Sequence, residues 1–457
     1  MEQQNRGRPG RSRHLADEGG STAGQVDPTP QRDGRPADRF GLLGCGRYAH
    51  ASQDMTTRQI SEEYPMADHE TRDDIDFISG EFWGRNPHEE FTWMRANAPV
   101  YWDGRAWGIT KYADLKAISK DAETFSNAKG IRADADAIPM MIDMDDPEHF
   151  RRRKLVNKGF TPRRVRDREA EVRAVCDQII DRVAEKGECD FVWDIAAPLP
   201  LIMIGNDLGV APEDRDQLLT WSDAMLTALT GDESAMGPAA EAFIGYTEYA
   251  TNVIADRKAN PQDDLMSVLC HAEVDGDKLG HDDLVHESLL ILIGGDETTR
   301  HVISGGMWQL LANPDQWAKL KANPALLDSA VEEMLRWVSP IKNMNRTATR
   351  DVEFGGQHIA EGDNVLLMYP SANRDEEIFD DPFRFDVERT PNDHVAFGFG
   401  THFCLGNSLA RLELKIMFEQ LLARLPDLEL VSPTEPRYRP ANFVSGYESM
   451  PVRFTPT

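Results

Sequence analysis

A glycine-rich segment around Cys404 combines the residue types best able to support chemistry in this chain. It reads Phe397-Gly398-Phe399-Gly400-Thr401-His402-Phe403-Cys404-Leu405-Gly406 and leads into a helix predicted over residues 405–425. Backbone N–H groups and the helix dipole favour a thiolate at such a position, and glycine lets the backbone approach a flat ligand closely. The segment therefore indicates a thiolate that faces a flat ligand. The alternative is an unreactive buried thiol beside a glycine-rich turn.

A second chemical pattern interrupts a long apolar helix predicted from Asp282 to about Leu311. Its middle reads Gly294-Gly295-Asp296-Glu297-Thr298-Thr299. A glycine inside a helix costs roughly 1 kcal/mol relative to alanine, so an adjacent pair indicates a functional or packing requirement. If the pair borders a ligand, the carboxyl groups and the Thr298 hydroxyl can transfer protons to it. The alternative is close helix packing at the glycines, with the acids in solvent.

Two further patterns consist of charged residues at helical spacing. Glu333 and Arg336, three residues apart, share one helix face and can form an ion pair. His149 and Arg153, four residues apart, present two basic groups on one face of another helix. Taken singly, residues of these types are usually solvated surface groups.

Together the four patterns resemble the cytochrome P450 family of heme-thiolate monooxygenases. In that family the cysteine of FGxGxHxCxG is the axial ligand of the heme iron, which implies that Cys404 binds the iron of heme b. The resemblance implies that the other cofactor-binding residues of the cysteine loop are Phe397, Gly398 and Gly406. It also implies that the heme propionates bind four basic side chains, namely His149, Arg153, Arg346 and His394.

The same resemblance assigns roles to the remaining patterns. Thr298 would hydrogen-bond dioxygen, and Glu297 would organise the waters that deliver protons. How Asp296 shares that work stays open. Glu333 and Arg336 would form a buried structural triad with an arginine from a later loop, for which we expect Arg389, with Arg384 as the second candidate.

The segments that line the substrate pocket in this family are apolar here. Their side chains are Ile138, Met140, Met141, Leu290, Ile293, Gly294, Val338, Ile341, Met344, Phe443 and Val444. A large apolar substrate held by shape is therefore expected. For about half of these residues the alternative is an ordinary core position.

Within this family, the chain resembles actinobacterial steroid side-chain monooxygenases most clearly in segments 138–147, 289–301, 342–344 and 440–446. Those enzymes oxidise a terminal methyl group of cholesterol or cholest-4-en-3-one, which implies a sterol substrate. Two alternatives stay open. One is oxidation of another long apolar molecule, such as a methyl-branched fatty acid or a terpenoid, and the other is a non-catalytic heme-thiolate sensor.

The elements that position these residues are predicted to be mainly α with small β-sheets, and the resemblance implies the cytochrome P450 fold as a single heme domain over residues 75–457. Helices are expected to dominate residues 163–259, with others at 282–311, 325–337 and 405–425. Strands are expected near 100–102, 107–110 and within 345–370. Residues 1–70 are predicted to be a disordered extension because they contain few apolar residues. A true start at Met55 or Met66 is the alternative.

Charge and composition restrict the partners and the location. The 457 residues include 78 acidic and 50 basic side chains, and the net charge of -28 argues against nucleic-acid binding. The apolar run at 288–294 is far shorter than the ~20 residues of a membrane span. Five cysteines without a CxxC pair favour a reducing compartment. We expect a cytoplasmic monomer.

The source of electrons follows from a missing motif and a basic segment. No GxGxxG sequence indicates a flavin or nicotinamide site, so electrons are expected from a ferredoxin and a ferredoxin reductase. Nine Lys or Arg residues lie between Arg151 and Arg168 in an otherwise acidic chain. We expect this segment to dock an acidic ferredoxin. The alternative is a solvated helix face.

Overall fold

Helices dominate the part of the chain that the structure describes, residues 71–227 and 233–457 of a computed structural model. In chain order they are α1 (Gly80–Gly84), α2 (His88–Asn97), α3 (Tyr112–Lys120), α4 (Glu148–Val156), α5 (Pro162–Asp167), α6 (Glu169–Ala184), α7 (Pro198–Asp207), α8 (Arg215–Thr227), α9 (Met236–Ala259), α10 (Leu265–His271), α11 (His281–Ala312), α12 (Pro314–Ala322), α13 (Leu327–Val338), α14 (Tyr369–Ala372) and α15 (Asn407–Arg424). The strands are β1 (Val100–Trp102), β2 (Trp107–Ile109), β3 (Phe125–Ser126), β4 (Glu188–Asp190), β5 (Asn343–Ala348), β6 (Val352–Phe354), β7 (Gln357–Ile359), β8 (Asn364–Met368), β9 (Glu429–Leu430) and β10 (Pro451–Arg453). The predicted class, mainly α with small β-sheets, is confirmed. The predicted extension over residues 1–70 lies outside the described residues.

The long helix α11 runs through the centre of this arrangement. The N–H group of Gly280 donates to Asp283 Oδ2 at 2.9 Å and caps its first turn. The helix ends before Pro314, as its sequence predicts. It packs against α7, α9, α13 and α15, and every residue from Thr299 to Leu310 is buried. The surrounding helices therefore fix the position of its central turns.

The largest sheet contributes another wall of the site. Its strand order is β1-β2-β8-β5-β3, with β2 and β8 parallel and the other pairs antiparallel. Arg346 on β5 lies opposite Val365 on β8. The strands predicted near 100–102 and 107–110 form a hairpin, and in its turn Asp103 Oδ1 accepts from the N–H of Ala106 at 2.8 Å.

Helices dominate the described residues within 163–259, as predicted, but the sequence did not indicate a strand among them. The strand β4 and a π-helical segment, Phe191–Ala196, lie between α6 and α7. Cys189 on β4 lies opposite Val452 on β10. Because the partner strand lies close to the last residue of the chain, the local helical pattern gives no sign of this pairing.

Two apolar clusters support the helical part of the site. The larger one joins α6, α7, α11, α13 and α15. The second lies around α4 and α7 to α11, and it includes Met140 and Met141. None of the helices in the described ranges combines the length and apolar character that crossing a bilayer requires.

Candidate active site

Cys404 lies in a closed loop just before α15. Its N–H group donates to the carbonyl oxygen of Phe397 at 2.9 Å, which joins the two ends of the loop. Gly398 and Gly400 have φ values of +72° and +80°, a region that favours glycine. A Cβ atom on Gly400 would also collide with the backbone of Ser119 on α3. The glycines therefore hold the backbone around Cys404 in one arrangement.

The surroundings of the Cys404 thiol favour ionisation only in part. Burial is the largest influence and raises its pKa, whereas the N–H group of Gly406 lowers it. The guanidinium groups of Arg153 and Arg411 act in the same direction as Gly406. A thiol in this position ionises fully when a metal ion binds its sulfur. Cys404 is therefore a buried thiol surrounded by several groups that favour its thiolate.

The glycines near the site divide into two kinds. Apart from its chain neighbours and its own helix backbone, a Cβ atom on Gly406 or on Gly294 would meet no atom of the described residues within 4 Å. A Cβ atom on Gly295 would lie 2.7 Å from Cδ1 of Ile204 on α7. Gly294 and Gly406 thus border open space, while Gly295 permits close helix packing. Of the two interpretations of the glycine pair, a border with a ligand applies to Gly294, and close helix packing applies to Gly295.

Basic side chains converge from α4, β5 and the cysteine loop. His149 is buried, and its Nε2 has no hydrogen-bond partner among the described residues. The rings of His149 and His402 lie 4.0 Å apart between centroids. Burial, followed by the charges of His149, Arg346 and Arg153, lowers the pKa of His402 to about 2. In the described part of the chain no ion pair neutralises Arg153 or Arg346. Such a cluster indicates an anionic ligand.

His394 is placed differently from its prediction. Its Nε2 lies 3.0 Å from Glu332 Oε2, and its Nδ1 accepts from the N–H of Ala396 at 3.2 Å. Against the effect of burial, hydrogen bonds from Arg411 and His394 lower the pKa of Glu332 to about 2. Both ring nitrogens of His394 are therefore used by protein groups, which contradicts its predicted contact with a propionate. His402 joins the basic cluster instead, although its sequence motif had suggested no separate role for it.

Two of the polar residues predicted to handle protons lie on different sides of α11. Thr298 Oγ1 donates to the carbonyl oxygen of Gly294 at 2.9 Å, so the hydroxyl lies beside the open space. Asp296 is fully buried, and its Oδ2 accepts from Ser222 Oγ of α8 at 3.2 Å. Burial raises the pKa of Asp296 to about 7. Asp296 is therefore a carboxyl group that exchanges its proton near neutral pH.

Glu297 is held by two arginines. Its Oε1 accepts from Arg439 Nη1 at 2.5 Å and also from Arg300 Nη2. No local sequence pattern indicated Arg439, which lies in the C-terminal segment. Among the described residues no hydrogen bond joins Glu297 to Thr298. Glu297 therefore joins α11 to the C-terminal segment, and its expected role in organising waters stays a prediction.

The predicted triad is assembled below the cysteine loop. Arg336 Nε lies 2.8 Å from Glu333 Oε2, and Arg389 Nε lies 3.1 Å from the same oxygen. Arg384 does not take the third place. Its contacts with the triad are made by its carbonyl oxygen, which accepts from Arg389 Nη2 at 2.8 Å and from Arg336 Nη2 at 3.5 Å. Asn392, which the sequence did not indicate, adds a further bond to Glu333 at 3.1 Å. Because Glu333 and Arg336 are fully buried, these bonds fix the chain that leads to Cys404.

The predicted pocket residues fall into separate groups. Met140 and Met141 pack in the same cluster as the half-buried Leu290 and Ile293. A β-bridge joins Ile341 to Val444, next to the buried Phe443, and Met344 borders the sheet cluster. Two residues stand apart. Ile138 is 45% exposed, and Val338 lies against Gly305, where a Cβ atom would be 2.7 Å from its Cγ2. Val338 therefore serves helix packing between α11 and α13.

The fold and the cysteine loop define a heme-thiolate protein. The family model named Cytochrome P450 matches residues 224–444. A solved cytochrome P450 of Mycobacterium marinum, in complex with pseudoionone, is 35% identical, covers 85% of this chain and 100% of its own, and has a TM-score of 0.77. The chain belongs to the cytochrome P450 family, and it is a heme-dependent monooxygenase.

Two curated relatives within this class share a more specific name. A protein of Mycobacterium tuberculosis named steroid C26-monooxygenase is 55% identical over 390 residues, which is 84% of this chain and 98% of the relative. A protein of Mycolicibacterium smegmatis with the same name is 54% identical over 85% of this chain and 98% of the relative.

The residues present fit a heme b. Cys404 would hold the iron, and Gly294 and Gly406 leave room beside α11 and above the loop. The unpartnered Nε2 of His149, with Arg153, Arg346 and His402, would bind the propionates. Phe397 borders the main apolar cluster, and Gly398 gives the loop its turn. When bound, the heme supplies the activation of dioxygen for insertion of one oxygen atom into a C–H bond.

Proposed function

We propose that this monooxygenase oxidises the terminal methyl group of a sterol side chain, with cholesterol or cholest-4-en-3-one as substrate. The observation that carries the proposal is the high identity over nearly the whole length of two steroid C26-monooxygenases. The heme domain spans residues 75–457, and Cys404 would hold the heme iron. The protein acts as a monomer in the cytoplasm.

The apolar pocket supports a sterol tail over a fatty acid. Met140, Met141 and the aliphatic residues of α11 offer adaptable apolar contacts, and each buried methylene contributes about 0.8 kcal/mol. Lys342, whose pKa burial lowers to about 7, lies within the pocket segments and donates to the carbonyl oxygens of Val338 and Ser339 at 3.2 Å each. It is therefore not placed to neutralise a fatty-acid carboxylate, whose burial without a partner would be costly.

Proton transfer is assigned to two groups on α11. Asp296, whose pKa burial raises to about 7, is partly protonated at neutral pH. The hydroxyl of Thr298 lies beside the open space at Gly294 and can donate a proton there. No hydrogen bond among the described residues joins it to Asp296, so we assign the transfer between the two groups to water. Glu297 keeps α11 in register with the C-terminal segment through Arg439.

Electrons come from a ferredoxin that a ferredoxin reductase reduces. The basic segment from Arg151 to Arg168 is only partly available, because Arg152 and Arg168 pair with buried acids. The side chain of Arg163 is 86% exposed. Arg153 donates to the carbonyl oxygen of Phe403 and so joins this segment to the cysteine loop. We place the docking site around Arg163 and the 38% exposed Phe403.

An optical titration tests the proposed substrate. Addition of cholest-4-en-3-one to the ferric protein should convert low-spin to high-spin heme, because the tail displaces the water next to the iron. Hexadecanoic acid, as the matched long-chain control, should give a much smaller change. Turnover with ferredoxin and its reductase should then yield a terminally hydroxylated sterol. A spin change with the fatty acid and none with either sterol would favour the alternative of a fatty-acid hydroxylase. Sterol binding without any product would favour the sensor.

A further inference from the structure

A buried carboxylate outside the predicted site joins the pocket-lining loop to the central helix. Glu287 on α11 is fully buried. Its Oε1 accepts from the backbone N–H of Met141 at 2.8 Å and from Arg152 Nη1 at 3.1 Å. Arg152 Nη1 also donates to the carbonyl oxygen of Pro139 at 2.9 Å, and its Nη2 donates to Asp283 Oδ1 at 2.7 Å. Two side chains thus hold the loop at two backbone positions.

Regular structure contributes little to fixing the loop, although Asn127 Nδ2 also donates to the carbonyl oxygen of Ile142 at 2.9 Å. Between β3 and α4 the described chain forms only a short 3-10 turn at Met141–Asp143. Asp143 closes the loop on itself by accepting from the N–H groups of Ile131 and Ile138. The bonds of Glu287 and Arg152 instead connect the loop to α11 and α4, and so determine how far it lies from them.

The connection acts directly on the pocket wall. Met140 and Met141 pack in one cluster with Leu290, which lies three residues after Glu287 on the same face of α11. Arg152 also neighbours Arg153 on α4, the helix that contributes His149 to the basic cluster. A buried ion pair is seldom needed for stability alone, since apolar residues of similar size often serve as well. Its placement here, on loop backbone beside two pocket residues, indicates a positioning role.

We propose that Glu287, acting with Arg152, is a positioning residue that sets the width of the substrate pocket by fixing the backbone at Pro139 and Met141. The inference rests on the proposed function for the identity of the substrate. Loss of the connection lets the methionine wall move, which weakens binding of a ligand held by shape. The steps at the heme are not changed once the ligand is bound.

The test compares three substitutions of Glu287 in the full-length holoenzyme. Glu287→Ala removes the acceptor, Glu287→Asp withdraws it by one methylene, and Glu287→Gln keeps an acceptor at the same distance. Asp282→Asn, at an exposed position on the same helix, is the control for charge. For each, the Kd of cholest-4-en-3-one is measured by the spin change, kcat is measured at saturating substrate, and hydrogen exchange is followed at residues 138–142.

The expected result is a Kd about 10-fold higher for the Ala and Asp variants, with kcat within about twofold of the wild type. Exchange at residues 138–142 should rise in these two variants, and Gln and the control should resemble the wild type. An unchanged Kd in a heme-loaded Ala or Asp variant would overturn the inference, as would a loss of kcat without a change in Kd. If the Ala variant does not fold, the Asp and Gln pair decides. If the wild type responds to hexadecanoic acid and not to the sterol, the proposed substrate fails, and the same comparison with hexadecanoic acid still tests Glu287.

Discussion

Arg439 Nη1 lies 2.5 Å from Glu297 Oε1, although the two residues are 142 positions apart in the chain. Arg300 binds the same oxygen from the next turn of α11. Glu297 is therefore occupied by two guanidinium groups and makes no bond to Thr298. Asp296 instead lies on a different side of α11, where Ser222 donates to it, and we propose that Asp296 carries the exchangeable proton.

The pH dependence of turnover tests this assignment. The pKa of Asp296 lies at about 7, so the fraction of protonated donor falls as pH rises through that value. Turnover of the wild type should fall in the same range. Asp296→Asn cannot ionise, and we expect it to be roughly 100-fold slower at low pH and to show no such slope. Steady-state rates between about pH 6 and about pH 8 decide the question. The rate at which the reductase reduces ferredoxin, measured over the same pH range, is the control. A full wild-type slope in Asp296→Asn would exclude Asp296 as the donor.

His402 and His394 offer a matched pair for the propionate site. His402 packs on His149 in the basic cluster, whereas both nitrogens of His394 contact protein groups. Loss of a hydrogen bond to a charged propionate costs about 1.5–3 kcal/mol. His402→Ala should therefore release heme to apomyoglobin about 10-fold faster or more, while His394→Ala should release it at nearly the wild-type rate. Equal release from both variants, or faster release only from His394→Ala, would contradict the placement.

Charge reversal at Arg163 tests the docking surface. Its side chain is 86% exposed and has only a loose contact with Asp167 at 3.6 Å. Arg163→Glu should slow ferredoxin-driven turnover at low salt and have a much smaller effect at high salt, because screening weakens steering. The exposed Arg182 on α6 lies outside the basic segment, and Arg182→Glu is the matched control. Equal effects of the two reversals would remove Arg163 from the surface.

Glu413 provides a prediction for stability. Burial alone raises its pKa from 4.5 to about 8. Between these values the folded chain keeps a proton that the unfolded chain releases, so the free energy of unfolding falls as pH rises, by up to about 1.4 kcal/mol per pH unit. Glu413→Gln should therefore gain thermal stability relative to the wild type as pH increases from about 5 to about 8. The exposed Glu361→Gln should show no such trend. A difference in melting temperature that does not change with pH would contradict a buried neutral carboxyl group.

Local spacing accounts for the part of the site that the sequence predicted. Cys404 before its helix, the Glu333–Arg336 pair and the bounds of α11 all depend on residues within a few turns of one another. The remaining contacts join distant segments. Arg439 reaches Glu297, Glu287 reaches the Met141 N–H, and β4 pairs with β10. The choice between His394 and His402 depended on the direction of side chains in an irregular loop, which no periodicity encodes.

The central claim is that the Cys404 sulfur binds the heme iron. The most direct measurement is the spectrum of the reduced protein with carbon monoxide, recorded for the wild type and for Cys404→Ala at matched heme content. The wild type should show the red-shifted absorbance of thiolate-ligated heme, and the variant should lose it. The same red-shifted band in Cys404→Ala, or its absence from heme-loaded wild type, would contradict the claim.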